Sequence, residues 1–196
     1  MMIAIFDFDG TITTNDSLFH FTKFITGNTK FVIGMIILLP MLTAYKLKII
    51  PNYKAKQYML SYFFKGMNKD IFMRKANEYS LKHMKTILRP KAMEKIEQHK
   101  EQGHKIVIVS ASIECWLKPW CDKNKLDLIA TKLEIKNGIV TGKLLTKNCY
   151  GIEKVNRIQS KYKLDNYDYI YVYGDSIGDK ELLELANEKF YKPFRD

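Results

Sequence analysis

The stretch IAIFDFDGT, residues 3–11, decides the fold of this 196-residue chain. An apolar run from Ile3 to Phe8 carries the carboxylates Asp7 and Asp9 at its end and stops at Gly10. Short apolar runs are typical of strands that are buried on both faces of a parallel sheet. Ligands of open α/β sheets bind beyond the carboxyl ends of the strands. The two acids are therefore predicted to lie where a ligand would bind.

Two later runs repeat this pattern. KIVIV, residues 105–109, precedes Ser110, and DYIYVY, residues 168–173, precedes Gly174-Asp175. Helices are predicted over 90–102, 113–123, 152–162 and 179–187, short strands over 128–131 and 189–191, and a hairpin over 131–145 with its turn at Asn137-Gly138. Strands that alternate with helices indicate an α/β fold with a parallel sheet covered on both faces.

The alternation is broken between the first and second of these strands. Residues 15–88 contain no clear strand, whereas 17–25 and 68–88 have helical patterns. We therefore predict a core formed by residues 1–14 and 89–196, and an all-helical insertion formed by residues 15–88.

One segment of the insertion is unusually apolar. FVIGMIILLPMLTA, residues 31–44, has 14 residues without a charge and includes Pro40. A membrane-spanning helix needs about 20 residues, so this segment is too short to be one. We expect a buried pair of helices here. The alternative is an element that lies on a membrane surface or contacts lipid.

The net charge indicates an anionic partner. The chain has 32 Lys+Arg and 21 Asp+Glu, which gives a formal charge of +11. Residues 15–88 alone carry +9 of it, from 12 Lys+Arg and 3 Asp+Glu. Such a charge is typical of proteins that bind nucleic acid, a membrane surface or an anionic small molecule. Because the sequence has no nucleic-acid recognition motif, we expect a phosphorylated substrate or an anionic membrane rather than nucleic acid.

The cysteines and the first residues bear on the compartment. Cys115, Cys121 and Cys149 form neither an even disulfide framework nor a zinc-binding spacing. Residues 1–10 lack the basic start of a signal peptide and carry an acid by position 7. A cytoplasmic location is therefore expected.

Other predicted elements end in groups that complement the first loop. Ser110 follows the second strand, and Lys154 lies in the first turn of a predicted helix. Four carboxylates are expected at the same edge of the sheet: Asp7, Asp9, Asp175 and Asp179. Acids this close need a cation, and ligands that are all oxygen select Mg²⁺. The small residues Ala111 and Ser112 would let backbone N–H groups reach a phosphate. Taken singly, Ser110 could instead cap a helix and Lys154 could be a solvated surface residue.

The motifs DFDGT, Ser110 after KIVIV, Lys154 and GDSIGD (residues 174–179) together resemble the four motifs of the haloacid dehalogenase superfamily, in the same order and at the same element ends. The insertion that directly follows the first motif resembles the C1-type helical cap of the phosphoserine phosphatase-like branch. The resemblance implies a Rossmann-like core, an Mg²⁺ cofactor and a phosphomonoester hydrolase that forms an aspartyl-phosphate.

The resemblance also assigns roles to residues. It makes Asp7 the nucleophile and Asp9 the acid that protonates the leaving alcohol and then deprotonates water. The metal would be held by the Asp7 carboxylate, the Asp9 backbone carbonyl and Asp175. Asp179 would support the metal shell or orient Lys154. Phosphate or substrate binding is assigned to Thr11, Asp16, Ser110, Ala111, Ser112 and Lys154.

Departures from the phosphoserine phosphatases bear on the substrate. Asp16 stands nine residues after the nucleophile, where those enzymes normally have a Glu that binds the substrate amine, and it could instead cap a helix. Gly10 stands where they usually have Ser, and Arg74 is the only Arg of the insertion. We expect a small phosphorylated metabolite, with phosphoserine itself in doubt.

A lipid substrate is the main alternative. The run ILLPM, its Lys-rich continuation and CYGIEKV, residues 149–155, also resemble phosphatidylglycerophosphate phosphatases of the same branch. A phosphotransferase or mutase would use the same intermediate, and a basic nucleic-acid-binding protein is the least favoured interpretation.

Overall fold

The computed structural model describes residues 1–195 and has an α/β fold around a five-stranded parallel sheet. The sheet contains β1 (Met2–Phe6), β2 (Lys105–Ile113), β3 (Asp127–Thr131), β6 (Tyr169–Gly174) and β7 (Glu188–Tyr191), in the spatial order β3-β2-β1-β6-β7. The strands β4 (Leu133–Lys136) and β5 (Ile139–Leu144) form a separate antiparallel hairpin. The predicted fold class is therefore confirmed.

Helices of the insertion precede those that flank the sheet. The α-helices are α1 (Ser17–Ile37), α2 (Leu39–Lys46), α3 (Asn52–Phe64), α4 (Lys69–Glu78), α5 (Pro90–Glu101), α6 (Glu114–Lys123), α7 (Ile152–Lys161) and α8 (Lys180–Leu183). A π-helical turn covers Tyr79–His83, and 3₁₀ turns cover Met84–Ile87, Leu164–Asn166 and Ile177–Asp179. Helices α5 to α8 pack against strands of the sheet, and α1 to α4 lie in the insertion.

Strand β1 lies at the centre of the sheet. Its residues 3–6 are completely buried because β2 and β6 pair with it on either side, with Phe6 opposite both Ile108 and Tyr173. The pairing continues one residue further, since the Asp7 N–H donates to the Tyr173 carbonyl at 2.9 Å. Burial of both faces thus fixes Asp7 at the carboxyl edge of the sheet, as the apolar run predicts.

The predicted helix over 68–88 is divided in the structure. Helix α4 is followed by the π-helical turn and then by a 3₁₀ turn. Tyr79, Met84 and Ile87 are all buried. A regular helix with a 3.6-residue repeat would not place all three side chains on one face, and the change of winding does. Tertiary packing therefore overrides the simple helical period here.

The end of the chain also differs from the prediction. The helix expected over 179–187 is reduced to α8, because Asn187 pairs with Ile170 of β6 instead. The Asn187 N–H donates to the Ile170 carbonyl at 3.0 Å, and the Ile170 N–H donates to Asn187 Oδ1 at 2.8 Å. The predicted hairpin turn is present: Asn137 and Gly138 have φ of 50° and 74°, the left-handed pair that a two-residue turn requires.

The chain enters and leaves the insertion side by side. The Thr14 N–H donates to the Ile87 carbonyl at 2.8 Å, and the Arg89 N–H donates to the Ile12 carbonyl at 2.8 Å. These contacts join the two connecting segments next to the carboxyl end of β1. The insertion is therefore held directly above the edge of the sheet that carries the acids.

The β4–β5 hairpin packs against the insertion although it comes from the second half of the chain. Val140 accepts from the Gly66 N–H and donates to the Met67 carbonyl, both at 2.9 Å. Gly142 has φ of +80°, and a Cβ added there would lie 2.4 Å from the Ser61 Cα of α3. Residues assigned to the core by sequence therefore cover part of the insertion, and the domain boundaries stay a prediction.

The expected burial of residues 31–44 is wrong. Only Gly34 and Leu38 of this segment are buried, whereas Val32, Ile33, Ile36, Ile37 and Leu39 are exposed. Helix α3 packs against one side of α1, where a Cβ on Gly34 would lie 2.4 Å from the Phe63 ring. Because one neighbouring helix covers only one side, the opposite side of the segment faces solvent.

Among the described residues, no single helix is both long and apolar enough to cross a membrane. Helices α1 and α2 together meet the length and composition that a span requires, but they are bent by 59° where they join. The first half of α1 is further separated from its second half by Gly27, whose φ of 76° and ψ of 166° are not helical.

Candidate active site

A cavity of about 450 Å³ lies where the carboxyl ends of β1, β2 and β6 face the insertion. Its lining residues come from both parts of the chain: Asp7, Asp9, Gly10, Asp16, Leu18, Tyr45, Asn52, Lys56, Ala111, Ser112, Tyr150, Lys154, Asp175, Ser176, Ile177 and Asp179. The predicted acids Asp7, Asp9, Asp175 and Asp179 are all among them. The cavity is therefore the candidate active site.

The loop after β1 makes a turn that only glycine adopts easily. Gly10 has φ of +83°, and a Cβ on it would lie 2.4 Å from Asp175 Oδ2. The Gly10 N–H donates to Thr13 Oγ1 at 3.1 Å, which holds the turn. Glycine at this position therefore lets the loop after β1 come into contact with the carboxylate after β6.

Lys154 joins two of the acids in a buried cluster. Its Nζ lies 2.5 Å from Asp7 Oδ1 and 2.6 Å from Asp179 Oδ1, and all three side chains are buried. Thr11 Oγ1 donates to the other Asp7 oxygen, Oδ2, at 3.1 Å. Helix α7 begins after Gly151 and aims Lys154, in its first turn, at the end of β1. Both oxygens of Asp7 are therefore held in place.

Burial and charge act against each other in this cluster. Burial raises the pKa of Asp7 to about 7, although Lys154 opposes the rise. For Asp179, burial would raise the pKa, but Lys154 and hydrogen bonds from Ser176 bring it below its usual value. Burial opposes the charged form of Lys154 too, yet the two carboxylates raise its pKa. The lysine is thus charged throughout the physiological range.

The acids fit a divalent cation. Carboxylate oxygens of Asp7, Asp175 and Asp179 lie within 4.8 Å of one another. With all groups ionised, the three carboxylates, the Lys154 ammonium and the Arg195 guanidinium leave a net charge of −1, so the protein alone does not neutralise the acids. The donors are all oxygens, which favours Mg²⁺ among the common protein-bound metals. Arg195 Nη2 also lies 2.6 Å from Asp175 Oδ2, so the cluster attracts cations from the protein itself.

Asp9 is held between the insertion and the core. Its Oδ1 accepts from the Ser17 N–H at 2.7 Å, and its Oδ2 accepts from Ser112 Oγ. The two serine hydroxyls are 2.9 Å apart, and Trp116 Nε1 donates to Ser17 Oγ at 3.2 Å. The carboxylate two residues after Asp7 is thus oriented by the first turn of α1 and the last residues of β2.

The segment after KIVIV lies partly as the sequence predicts. Ala111 and Ser112 line the cavity, whereas Ser110 is completely buried and is not among the lining residues. Ser110 Oγ accepts from the Ser112 N–H at 3.0 Å. Ser110 therefore holds the backbone turn at the cavity wall, and its direct binding of phosphate stays a prediction.

Asp16 combines the two roles that the sequence left open. Its Oδ1 caps α1 by accepting from the N–H groups of Leu18 and Phe19 at 2.8 and 3.2 Å, and its side chain also lines the cavity. Partial desolvation by the cavity wall and the nearby Asp9 raise its pKa. Asp16 is thus a helix cap that also lines the cavity.

Lys56 of α3 is a cavity residue that sequence reasoning missed. Its Nζ donates to the Ala111 carbonyl at 2.6 Å and to Asn148 Oδ1 at 2.8 Å. Burial lowers its pKa to about 8, although Asp16 and Asp9 favour the charged form. Nothing in the sequence separates Lys56 from the other lysines of the insertion. Only the packing of α3 on the core shows that it lines the same cavity as Asp7.

A chain of hydrogen bonds extends from Lys56 to the rim of the cavity. Asn148, which accepts from Lys56, donates through Nδ2 to Asn52 Oδ1 at 2.8 Å. Asn52 in turn donates through Nδ2 to the Tyr45 hydroxyl at 2.9 Å. These bonds connect the core segment after β5 with α3 and α2. The insertion is therefore joined to the core by side-chain hydrogen bonds along the wall of the cavity.

Comparisons with known proteins agree with this fold. A model of the haloacid dehalogenase-like hydrolases matches residues 4–184. The protein CicA from Caulobacter vibrioides is 33% identical over 196 residues, which cover 99% of this chain and 87% of CicA.

Solved structures show the same fold at low identity. A protein of unknown function from Bordetella pertussis Tohama I has a TM-score of 0.84 at 21% identity and covers 96% of this chain and 88% of its own. A substrate-bound phosphoserine phosphatase has a TM-score of 0.70 at 16% identity, with 96% and 84% covered. The predicted likeness to the phosphoserine phosphatase fold is confirmed.

Proposed function

This chain belongs to the haloacid dehalogenase-like hydrolase family, and we propose that it is a Mg²⁺-dependent phosphomonoester hydrolase that forms an aspartyl-phosphate on Asp7. One observation carries the proposal: Asp7, buried at the end of β1, shares Lys154 with Asp179 and lies beside Asp175. A nucleophile, a fixed cation and a set of oxygen ligands in one cavity are what phosphoryl transfer requires.

In the first step, an Asp7 carboxylate oxygen attacks phosphorus and the bond from phosphorus to the leaving alcohol breaks. Lys154 and the backbone N–H of Ala111, at the cavity wall, would stabilise the negative charge on the phosphoryl oxygens. The bound metal would keep Asp7 ionised at neutral pH and neutralise the phosphate. The hydrogen bond from Thr11 keeps the carboxylate from rotating.

Asp9 would move the protons of both steps. Its protonated carboxyl gives a proton to the leaving alkoxide, and the resulting carboxylate then takes a proton from the water that hydrolyses the aspartyl-phosphate. Contacts with Ser17 and Ser112 orient Asp9 towards the same cavity as Asp7. Because Ser17 begins α1, the position of the acid depends on how the insertion sits on the core.

The leaving group would lie between Asp16 and Lys56. Asp16 offers a carboxylate and Lys56 an ammonium group to the cavity. Together they would suit a small polar metabolite that carries both a positive and a negative group. A second candidate is a phosphorylated lipid head group, and the exposed apolar side chains of residues 31–44 favour it. Both candidates use the same phosphate chemistry and differ in what is attached to it.

The test is phosphate release from a panel of esters that includes phosphoserine, phosphocholine and phosphatidylglycerophosphate, with Mg²⁺ and with EDTA. We expect turnover of at least one ester with Mg²⁺ and none with EDTA. The variant Asp7→Asn keeps the shape of the side chain and is expected to abolish turnover. Full activity of Asp7→Asn, or activity that EDTA does not affect, would show that the mechanism is wrong.

A further inference from the structure

Seven large apolar side chains that lie close together in the sequence of the insertion are exposed, and we call them the apolar ridge. They are Val32, Ile33, Ile36, Ile37, Leu39, Leu47 and Ile49, each between 51% and 71% exposed. Scattered apolar residues are common on protein surfaces, but a continuous set marks an interaction site. This set occupies only 18 residues of the sequence.

The part of the ridge that belongs to α1 is an outward face of a packed helix. Ile33, Ile36 and Ile37 follow the i, i+3, i+4 spacing and so share one side of α1. On the other side, Phe31 stacks on Phe63 of α3 with ring centroids 6.2 Å apart, and Gly34 contacts the same ring. Since α1 is apolar on both sides, its exposed side is not a surface selected for contact with water.

The charges around the ridge have one sign. Residues 17–69 contain eight lysines and no Asp or Glu. Lys30 precedes the ridge, Lys46 and Lys48 lie beside Leu47 within it, and all three are exposed. A second copy of the chain would bring these like charges together in a two-fold contact. An anionic lipid surface would satisfy the lysines and the apolar side chains at once.

The ridge is too short to span a bilayer. The last ten residues of α1 extend about 15 Å at 1.5 Å per residue, against a hydrocarbon core of about 30 Å. The first turn of α1 cannot enter lipid either, because the Ser17 N–H binds Asp9 in the cavity. Contact with lipid would therefore be at the interface, with the helices lying along the surface.

We propose that the apolar ridge inserts into the surface of an anionic lipid bilayer and holds the mouth of the cavity there. Tyr45 of α2 connects the two sites, because it lies between Leu39 and Leu47 in sequence and also lines the cavity. Ile177, 78% exposed, lines the same cavity. The proposal goes beyond the hydrolase activity and does not depend on it.

The test is flotation of the whole protein with vesicles of phosphatidylcholine alone and of phosphatidylcholine with phosphatidylglycerol. The double variant Ile33→Glu/Ile36→Glu changes the ridge. The double variant Ile71→Glu/Leu81→Glu is the matched control, since it adds the same charge at two apolar residues outside the ridge that are 47% and 39% exposed. We expect binding to the anionic vesicles, a loss of about tenfold or more in the ridge variant, and no loss in the control.

Each variant is also assayed for hydrolysis of a soluble ester. Because no ridge residue lines the cavity, a correctly folded variant should still hydrolyse this ester. Absence of binding to anionic vesicles would overturn the proposal, as would binding that the ridge variant leaves unchanged. A concentration-dependent dimer that Ile33→Glu/Ile36→Glu abolishes, without vesicle binding, would assign the ridge to a second copy instead. Failure of the ester assay for the wild type would count against the hydrolase function and leave the vesicle result valid.

Discussion

The substitution Lys154→Met removes the ammonium group that Asp7 and Asp179 share, and it keeps an unbranched side chain. Both carboxylates are buried, and the pKa of Asp7 is already raised to about 7 by burial with Lys154 present. Without the lysine, two buried like charges lose their counter-ion. We expect Lys154→Met to lower both the stability of the fold and the rate of phosphate release.

The structure sets the size of the effect on stability. Removing one partner of a buried ion pair costs about 3–5 kcal/mol. For a domain of this size, 1 kcal/mol lowers the melting temperature by about 2–4 °C, so the expected decrease is about 6–20 °C. The pKa values of Asp7 and Asp179 in the folded variant would exceed those in the unfolded chain. The folded variant then binds more protons than the unfolded chain, so its stability falls as the pH rises. The decrease in melting temperature relative to the wild type is therefore larger at pH 8 than at pH 5.

The assay is thermal unfolding at pH 5 and pH 8, first with EDTA and then with excess Mg²⁺. Lys163→Met is the matched control, because Lys163 is exposed and lies outside the cavity. Mg²⁺ should stabilise Lys154→Met more than the wild type, since it supplies charge that the variant lacks. A melting temperature within about 2 °C of the wild type at pH 8 in EDTA would refute the idea that Lys154 neutralises the buried acids.

Three further predictions test other parts of the structure. Burial lowers the pKa of Lys56 to about 8, so this residue should lose its charge above pH 8 and KM should rise there. Lys56→Met should raise KM about 10–100-fold at pH 7 and should flatten the dependence of KM on pH. Gly10→Ala should displace Asp175, because the new Cβ would lie 2.4 Å from Oδ2, and raise the Mg²⁺ concentration for half-maximal activity about tenfold. Burial lowers the pKa of His99 to about 4, so unfolding should be favoured as the pH falls from 6.5 to 4, by up to about 3 kcal/mol, and His99→Gln should reduce this slope in denaturant titrations. An unchanged KM for Lys56→Met, an unchanged Mg²⁺ requirement for Gly10→Ala, or an unchanged slope for His99→Gln would each contradict its prediction.

The parts of the site that lie at strand ends could be predicted from sequence. An apolar run that ends in Asp7 has one stable place, the centre of a buried parallel sheet, and the ends of neighbouring strands then meet at one edge. This argument brings Asp175 and Asp179 to Asp7 without any coordinates, and their carboxylates lie within 4.8 Å of one another. A local pattern, an apolar run followed by an acid, thus predicts which residues far apart in the sequence lie side by side, because parallel strands end at the same edge of the sheet.

The position of the insertion on the core could not be predicted in this way. Lys56 reaches the cavity because α3 packs beside the segment that carries Asn148, and this packing depends on contacts far apart in the sequence. The prediction that residues 31–44 are buried rests on composition alone. Composition shows that a segment avoids water, but not which surface covers it, and in this chain no described element covers the ridge side of α1.

The location of the positive charge bears on what the insertion does. Seven of the eight lysines in residues 17–69 are exposed, and Lys56 is the one of them that lines the cavity. Exposed charges are screened beyond about 8 Å at physiological ionic strength, so most of these lysines act on whatever surface approaches the insertion rather than on a substrate inside it. A nucleic acid would pair with the lysines but leave the apolar ridge in water. An anionic bilayer satisfies both, so the charge and the ridge favour the same partner.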